Sequence, residues 1–340
     1  MLGFFVCATN LIKNLGVLCM TWQPSMDWAT AVAKSKVLAS IRNFFASKEV
    51  IEVETPLLCH GTVTDVHLEA IKAKYLSSEN GEETLYLQTS PEFAMKRLLA
   101  SGYQSIYQLC KAFRDEPQGR FHNPEFTMLE WYRLGFSMHD LIAEVDSFLQ
   151  DVLQTEPAEL ISYQQVFIDK TGIDPLSTSI KVCIGYIREK GKLSPWLEEE
   201  TSLDTLLQFI FCEFIESKVG LDAPVFVHSF PASQASLAIL DTNDLRVAKR
   251  FECYFKGIEL ANGFEELIDV KTQLSRFAKD NSVRAANSLE HKKIDEKFIS
   301  ALEEGLPQCA GVALGVDRLI MLALDKSHIE QVVSFTTKDT

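Results

Sequence analysis

Phe113-Arg114-Asp115-Glu116 and, a short way on, Arg120-Phe121-His122-Asn123-Pro124-Glu125-Phe126-Thr127-Met128-Leu129-Glu130-Trp131-Tyr132 form the stretch on which the fold turns. It reads as two strands joined by a polar loop, with arginines, a histidine and carboxylates crowded at the turn. Side chains alternate across a strand. Phe126, Met128, Glu130 and Tyr132 therefore share one face, while Leu129 and Trp131 point to the other and toward core. A carboxylate set among Phe, Met and Tyr needs a partner, because an unpaired buried charge is very costly. Near the C-terminus, Gly311-Val312-Ala313-Leu314-Gly315-Val316-Asp317-Arg318 is a Gly-rich run that ends on another arginine.

The 340 residues are 46% apolar and 24% charged, which fits a soluble globular protein with one large core. Nucleic-acid binders usually carry a basic footprint, and a formal charge of −14 argues against extensive contact of that kind. The eight cysteines contain no Cys-x-x-Cys pair and no zinc-type spacing, so reduced thiols in a cytoplasmic protein are the simplest reading. The first twenty residues are apolar, but Lys13 interrupts them and no basic segment precedes them. That suits neither a signal peptide nor a membrane span. We read residues 1–19 as a non-native or disordered extension ahead of a natural start at Met20, and 20–340 as the folded unit.

Working outward, Val32, Val37, Leu38, Ile41, Phe44 and Phe45 recur at helical spacing between Trp28 and Ser47. The alternating Val50-Ile51-Glu52-Val53-Glu54 follows and stops at Thr55-Pro56. Leu85-Tyr86-Leu87-Gln88 predicts a strand. Ser90-Pro91-Glu92 then opens a helix, with proline in the first turn and a carboxylate near the positive end. Residues 154–220 read as helical and polar, an insertion or cover without chemistry of its own. Strands resume at Pro224-Val225-Phe226-Val227. Lys256-Gly257 is a hairpin turn between two β-rich segments. In that register Tyr254 faces Glu259, and Glu252 shares the face of Tyr254, so the two glutamates are diagonal neighbours about 7–8 Å apart. A straight second strand would put Asn262 on the wrong face; a bend near Gly263 would restore it.

Taken singly, each piece also has a plain reading: Glu130 as a solvated edge-strand residue, Phe-Arg-x-Glu as a surface ion pair, the hairpin as an acidic solvent face. Taken in order they resemble motifs 1, 2 and 3 of the class II aminoacyl-tRNA synthetases, and most closely the lysine enzymes. The resemblance implies an α+β catalytic domain, a six- or seven-stranded, mostly antiparallel sheet flanked by helices, and a homodimer through motif 1. It implies that Arg114 contacts the α-phosphate of ATP and the substrate carboxylate, where negative charge builds during attack. Glu116 would accept from the adenine amino group, Phe126 would stack on adenine, and Arg120, His122 and Asn123 would border the nucleotide. Gly315 and Arg318 would close its phosphate side. Glu252 and Glu259 would hold Mg2+, which prefers carboxylate and water ligands. Ser90, Glu92, Glu130, Tyr132, Asn262, Phe264, Glu266 and Ala313 would line the amino-acid pocket, the acidic groups suiting a substrate with two amines.

Departures from the lysine enzymes are as informative. Some two dozen residues precede the first helix, where a lysyl-tRNA synthetase carries an anticodon-binding domain. Ala313 replaces a motif 3 glycine; Ser90 replaces a usual alanine; Phe230-Pro231-Ala232-Ser233-Gln234-Ala235-Ser236-Leu237-Ala238 replaces a Ser-Pro-Leu strand; and Lys48-Glu49 stand where glycine is usual. Apart from Lys48-Glu49, these departures coincide with the stand-alone synthetase paralogues that modify translation elongation factor P. That resemblance implies an ATP-dependent ligase, using ATP and Mg2+, that activates (R)-β-lysine as its adenylate. The acyl group then passes to the ε-amine of a lysine on elongation factor P. No stable nucleic-acid partner and no membrane are expected. The competing readings are a truncated lysyl-tRNA synthetase-like enzyme acylating an RNA, a non-catalytic lysine and ATP sensor, and an amide-forming metabolic paralogue.

Overall fold

The computed structural model describes residues 22–77 and 81–340; the reading of residues 1–19 lies outside the described residues. Among the described residues eleven strands run β1 (Ile51–Glu52), β2 (Leu58–Cys59), β3 (Lys72–Ser77), β4 (Gly81–Leu87), β5 (Ile106–Phe113), β6 (Glu125–Leu134), β7 (Glu159–Ser162), β8 (Val225–His228), β9 (Arg250–Phe255), β10 (Ile258–Glu265) and β11 (Cys309–Gly315). Eight of them form one sheet in the order β1-β5-β6-β11-β10-β9-β8-β7, and β2, β4 and β3 form a small second sheet. Pairing is antiparallel from β5 across to β8, and parallel only where β1 joins β5 and β7 joins β8. The expected mostly antiparallel α+β sheet is thus present, with eight strands rather than six or seven. The extra edge strands are two and four residues long, too short for periodicity to mark.

The alternation in β6 sorts the layers. Leu129 and Trp131 are fully buried on one face, in a core with Ile41, Phe45, Leu141, Val145, Phe148, Phe251, Val312 and Ile320. Three helices supply that layer: Trp28–Ser47, Met138–Leu153 and Val316–Ala323. Phe45 stacks on Tyr107 with ring centroids 4.3 Å apart and meets Trp131 edge-on at 5.2 Å, geometries that favour aromatic pairs beyond their buried area. Asp27 caps the first helix by accepting from Thr30 N at 2.7 Å. The helix is left through Glu49, whose φ of 55° is the left-handed conformation that glycine usually supplies.

The other face of the sheet is covered only at its ends. At one end the helices Glu92–Ala100, Val270–Ala286 and Glu296–Gly305 pack over Tyr132 and Ile106 through Phe93, Phe277 and Phe298. At the other, residues 163–219 pack over Val225, Val227 and Tyr254. That segment is less polar than its sequence suggests: Tyr163, Val166, Phe167, Leu206, Leu207, Ile210 and Phe211 are buried together, and its first strand, β7, extends the sheet. Between the two covers lies an open strip of β6, β11, β10 and β9.

Candidate active site

The strip is built by register. Ala313 on β11 pairs with Glu130 on β6 and, on its other side, with Asn262 on β10; Gly311 pairs with Tyr132 and Phe264. Opposed residues on neighbouring strands have Cβ atoms about 5 Å apart, so the Ala313 methyl stands on the floor between Glu130 and Asn262. Asn262 reaches this face by a route other than the expected one. Tyr254 does pair with Glu259, but a bulge at Leu260 then brings Asn262 opposite Glu252. An extra residue in one strand flips the parity of all that follow. Gly263 is not the bend. It lies under the Phe251 ring, where a methyl would stand 2.6 Å from Phe251 Cε1 and 3.0 Å from Val312 Cβ.

The acidic pocket is assembled as the sequence predicts, with one addition. Glu130, 2% exposed, accepts from Tyr132 OH at 2.6 Å and from Ser90 Oγ at 2.7 Å. Ser90 Oγ in turn accepts from Glu92 N at 3.0 Å. Glu266 enters from just past β10. The addition is Lys96, one helical turn after Glu92 and 1% exposed, with Nζ 2.5 Å from Glu92 Oε1 and 2.6 Å from Glu266 Oε2. The contact with Glu92 is a hydrogen bond; that with Glu266 is an ion pair outside hydrogen-bond angles, leaving Glu266 Oε2 without a donor. Burial, and then the charge of Glu92, push the Glu130 carboxyl up; burial also raises Glu266, against the pull of Lys96. Burial opposes the Lys96 charge, but Glu266 and Glu92 outweigh it and hold the ammonium above its ordinary value. The only sequence signal for Lys96 was its i,i+4 spacing from Glu92, a pattern ordinarily found on exposed helix faces.

Position 311 leaves no room for a side chain unless its neighbours shift. A methyl there would stand 2.5 Å from Tyr132 Cδ1 and 2.6 Å from Glu266 Oε1, and closer still to Tyr132 Cε1.

Next along the strip is a cationic section. The Arg114 guanidinium lies 5.1 Å from the Phe126 ring centroid, and its buried Nε has no hydrogen-bond partner. A buried donor left unpaired costs free energy, and a ligand acceptor would relieve it. Arg318, in the first turn of Val316–Ala323, donates from Nη1 to Glu259 O at 2.9 Å and from Nε to Phe121 O at 3.3 Å. Its Nη2 lies 2.7 Å from His122 Nε2. Arginine can only donate, so His122 accepts through that nitrogen. Desolvation at the turn and the adjacent Arg318 both hold this imidazole below its ordinary pKa. Gly315 caps the Arg318 helix, and Glu116 lies half-buried beside Arg114.

Two further residues of the expected nucleotide set bond to other parts of the protein. Asn123 is 4% exposed, donates to Glu125 O at 2.6 Å and accepts from Thr337 N at 3.1 Å and Thr337 Oγ1 at 3.3 Å. Both ends of its amide bond the protein, so it helps to pin the C-terminal segment. Arg120 is exposed and donates from Nε to Ser327 O at 2.8 Å.

Glu252 and Glu259 occupy the far end. Glu252, 7% exposed, bonds Arg250 and Tyr254 and lies 3.4 Å from Asn262 Nδ2; Glu259 is half-exposed, its carboxylate 3.8 Å from Arg318 Nη1. Glu216, from the 154–220 segment, joins them: burial, then Glu259 and Glu252, raise its carboxyl to about 7. Burial likewise raises Glu252. Carboxylates close together raise one another's pKa in this way, though among the described residues no group of three His, Cys, Asp or Glu side chains is placed to hold a metal ion. Sequence reasoning missed Glu216, which reaches the site only through tertiary packing, and Arg250, which strand alternation sets on the face of Glu252 two residues before it.

The chain is similar to known proteins over nearly its whole length. The family model for tRNA synthetases class II (D, K and N) matches residues 20–339. A protein of Photobacterium profundum described as elongation factor P--(R)-beta-lysine ligase is 52% identical, over 92% of this chain and 97% of its own length. Proteins so described from Proteus mirabilis and Haemophilus ducreyi are 51% and 50% identical, over 92% and 93% of this chain and 97% and 96% of theirs.

Proposed function

The chain belongs to the class II tRNA synthetase family of the D, K and N type, and from that membership we infer that it ligates (R)-β-lysine to elongation factor P with consumption of ATP. One observation carries the assignment of roles: Glu92, Glu130 and Glu266 gather on one wall of the strip, and just past the end of β5 the buried Nε of Arg114 has no hydrogen-bond partner. A diamino acid fits the first with its ammonium groups and presents its carboxylate to the second.

In the first step a carboxylate oxygen of the amino acid forms a bond to the α-phosphorus of ATP. The bond from that phosphorus to the β-bridging oxygen breaks, and pyrophosphate leaves. Arg114 offsets the charge that builds at the α-phosphate, and Arg318, tethered to His122 and Glu259 O, approaches from the other side. In the second step the amine of an acceptor lysine attacks the acyl carbon, the bond to AMP breaks, and the amine gives up its proton. Much of the rate in that step would come from positioning. Mg2+ would be held by Glu252 and Glu259, and when bound it would neutralise phosphate charge. Ala313 fills the floor between Glu130 and Asn262, where a glycine would leave room for an α-amino group. That is our reason for a β-amino acid.

We also propose that the chain pairs with a second copy through its first helix. Trp28 and Val32, one turn apart, are 82% and 40% exposed, and Ile51 on the edge strand β1 is 61% exposed, an apolar surface of the kind that marks association. Among the described residues no helix is long and apolar enough to cross a membrane. The six described cysteines are free, which suits the cytoplasm.

The test is the intact mass of purified elongation factor P after incubation with this protein, ATP, Mg2+ and β-lysine, with α-lysine in parallel. A gain of one lysyl group, larger with β-lysine, is expected. No gain despite amino-acid-dependent pyrophosphate exchange would assign the acceptor elsewhere, with tRNA tested next.

A further inference from the structure

Lys96 takes no part in the steps above, yet it is a buried cation on the pocket wall. Its Nζ sits between Glu92 and Glu266 and lies 5.9 Å from the ring centroids of both Tyr132 and Phe298. Titratable groups face this cluster from every side: Glu92 on its own helix, Glu266 after β10, Glu130 and Tyr132 on β6, and Cys309 on β11, with Cys110 on β5 beside Glu130. Fully ionised, three carboxylates and one ammonium would give the wall a net charge of −2. We propose that Lys96 is a positioning residue that holds Glu92 and Glu266 in place and favours their ionisation as substrate enters, so that the pocket presents two uncompensated negative charges to a substrate with two ammonium groups. The proposal rests on the amino-acid activation described above.

Three carboxylates buried together without a cation would take up protons. An opposite charge within a few ångströms lowers a carboxyl pKa by about 1–3 units, and its removal raises it by as much. Lys96 is also held on two sides, so Glu92 and Glu266 cannot swing toward each other or into the substrate volume. A lysine serving only to fill the core would leave the pH dependence of substrate binding unchanged.

The experiment is amino-acid-dependent ATP–pyrophosphate exchange across the neutral pH range, on the parent, Lys96→Met, Lys96→Arg, Glu92→Gln and the double variant Lys96→Met/Glu92→Gln. A parent without exchange on any diamino acid would refute the activation reading itself, before Lys96 is in question. With an active parent, Lys96→Met should raise KM for the diamino acid about tenfold or more at neutral pH, leaving KM for ATP unchanged. Its acid limb of kcat/KM should move up by about 1–3 pH units. Glu92→Gln alone should weaken binding, but in the Lys96→Met background it restores a net −2 and should lower KM again, a reversal of sign that a non-interacting pair cannot show. Lys96→Arg keeps the charge and should keep the acid limb of the parent. An unmoved acid limb in folded Lys96→Met, or a Glu92→Gln effect of one sign in both backgrounds, overturns the proposal. Should Lys96→Met not fold, Lys96→Arg decides: a limb displaced by about a unit or more with the charge retained overturns it as well.

Discussion

Gly311→Ala tests whether the pocket is as tightly set as its register implies. The added methyl would stand 2.5 Å from Tyr132 Cδ1 and 2.6 Å from Glu266 Oε1. Ordinary contact between such atoms begins at about 3.5 Å, so ring and carboxylate must together yield about 1 Å. Neither has slack: Tyr132 is 2% exposed and holds Glu130 by its hydroxyl, and Glu266 is 3% exposed and held by Lys96. Overpacking of this kind costs about 1–3 kcal/mol of stability. The displaced groups are those that orient the substrate, and a misplacement of about 1 Å costs roughly 100-fold in rate. We expect a lowered melting temperature, a loss of about two orders of magnitude in kcat/KM for lysine in pyrophosphate exchange, and an unchanged KM for ATP. A folded variant within a few-fold of the parent would show that the strip relaxes freely and that Tyr132 does not position substrate.

Three further outcomes are expected of the same fold. Ala313→Gly should increase use of α-lysine relative to β-lysine, since Ala313 stands between Glu130 and Asn262; an unchanged ratio of kcat/KM values would refute the floor as the selector. Glu49→Gly should stabilise the protein by about 1 kcal/mol, because φ is 55° there, and an unchanged or lowered melting temperature would count against it. Glu130, raised by burial and Glu92 to about 7, and Glu266, raised by burial to about 8, bind more protons folded than unfolded. The stability they contribute is therefore present below the ordinary carboxyl value of 4.5 and is lost as pH rises toward about 8. Saturating lysine should flatten that slope in thermal melts, and identical slopes with and without it would place the amines elsewhere.

Much of the site was legible because strands write their faces into the chain. The alternation through Phe126, Met128, Glu130 and Tyr132 placed a carboxylate and a phenol together, and in the structure they are hydrogen-bonded. Lys256-Gly257 set the register that brings Tyr254 opposite Glu259. The Gly-rich run from Gly311 to Arg318 was visible as a unit, though its first glycine proved to answer a contact with Tyr132 and Glu266. Parity failed where a single bulge at Leu260 changed it, since a bulge depends on the partner strand and leaves no period of its own.

Local pattern thus decided the class of fold, the order of the motifs and the residues of the pocket face, because those depend on spacings within one segment. Packing between distant segments decided the rest. Lys96 is a pocket cation only because Glu266, far away in the chain, closes over it. Asn123 is a structural pin only because Thr337 arrives beside it. Glu216 is part of an acidic cluster only because the 154–220 segment folds across the end of the sheet. A side chain's type sets which bonds it can make, but the cost of leaving them unmade is settled by the neighbours that exclude water.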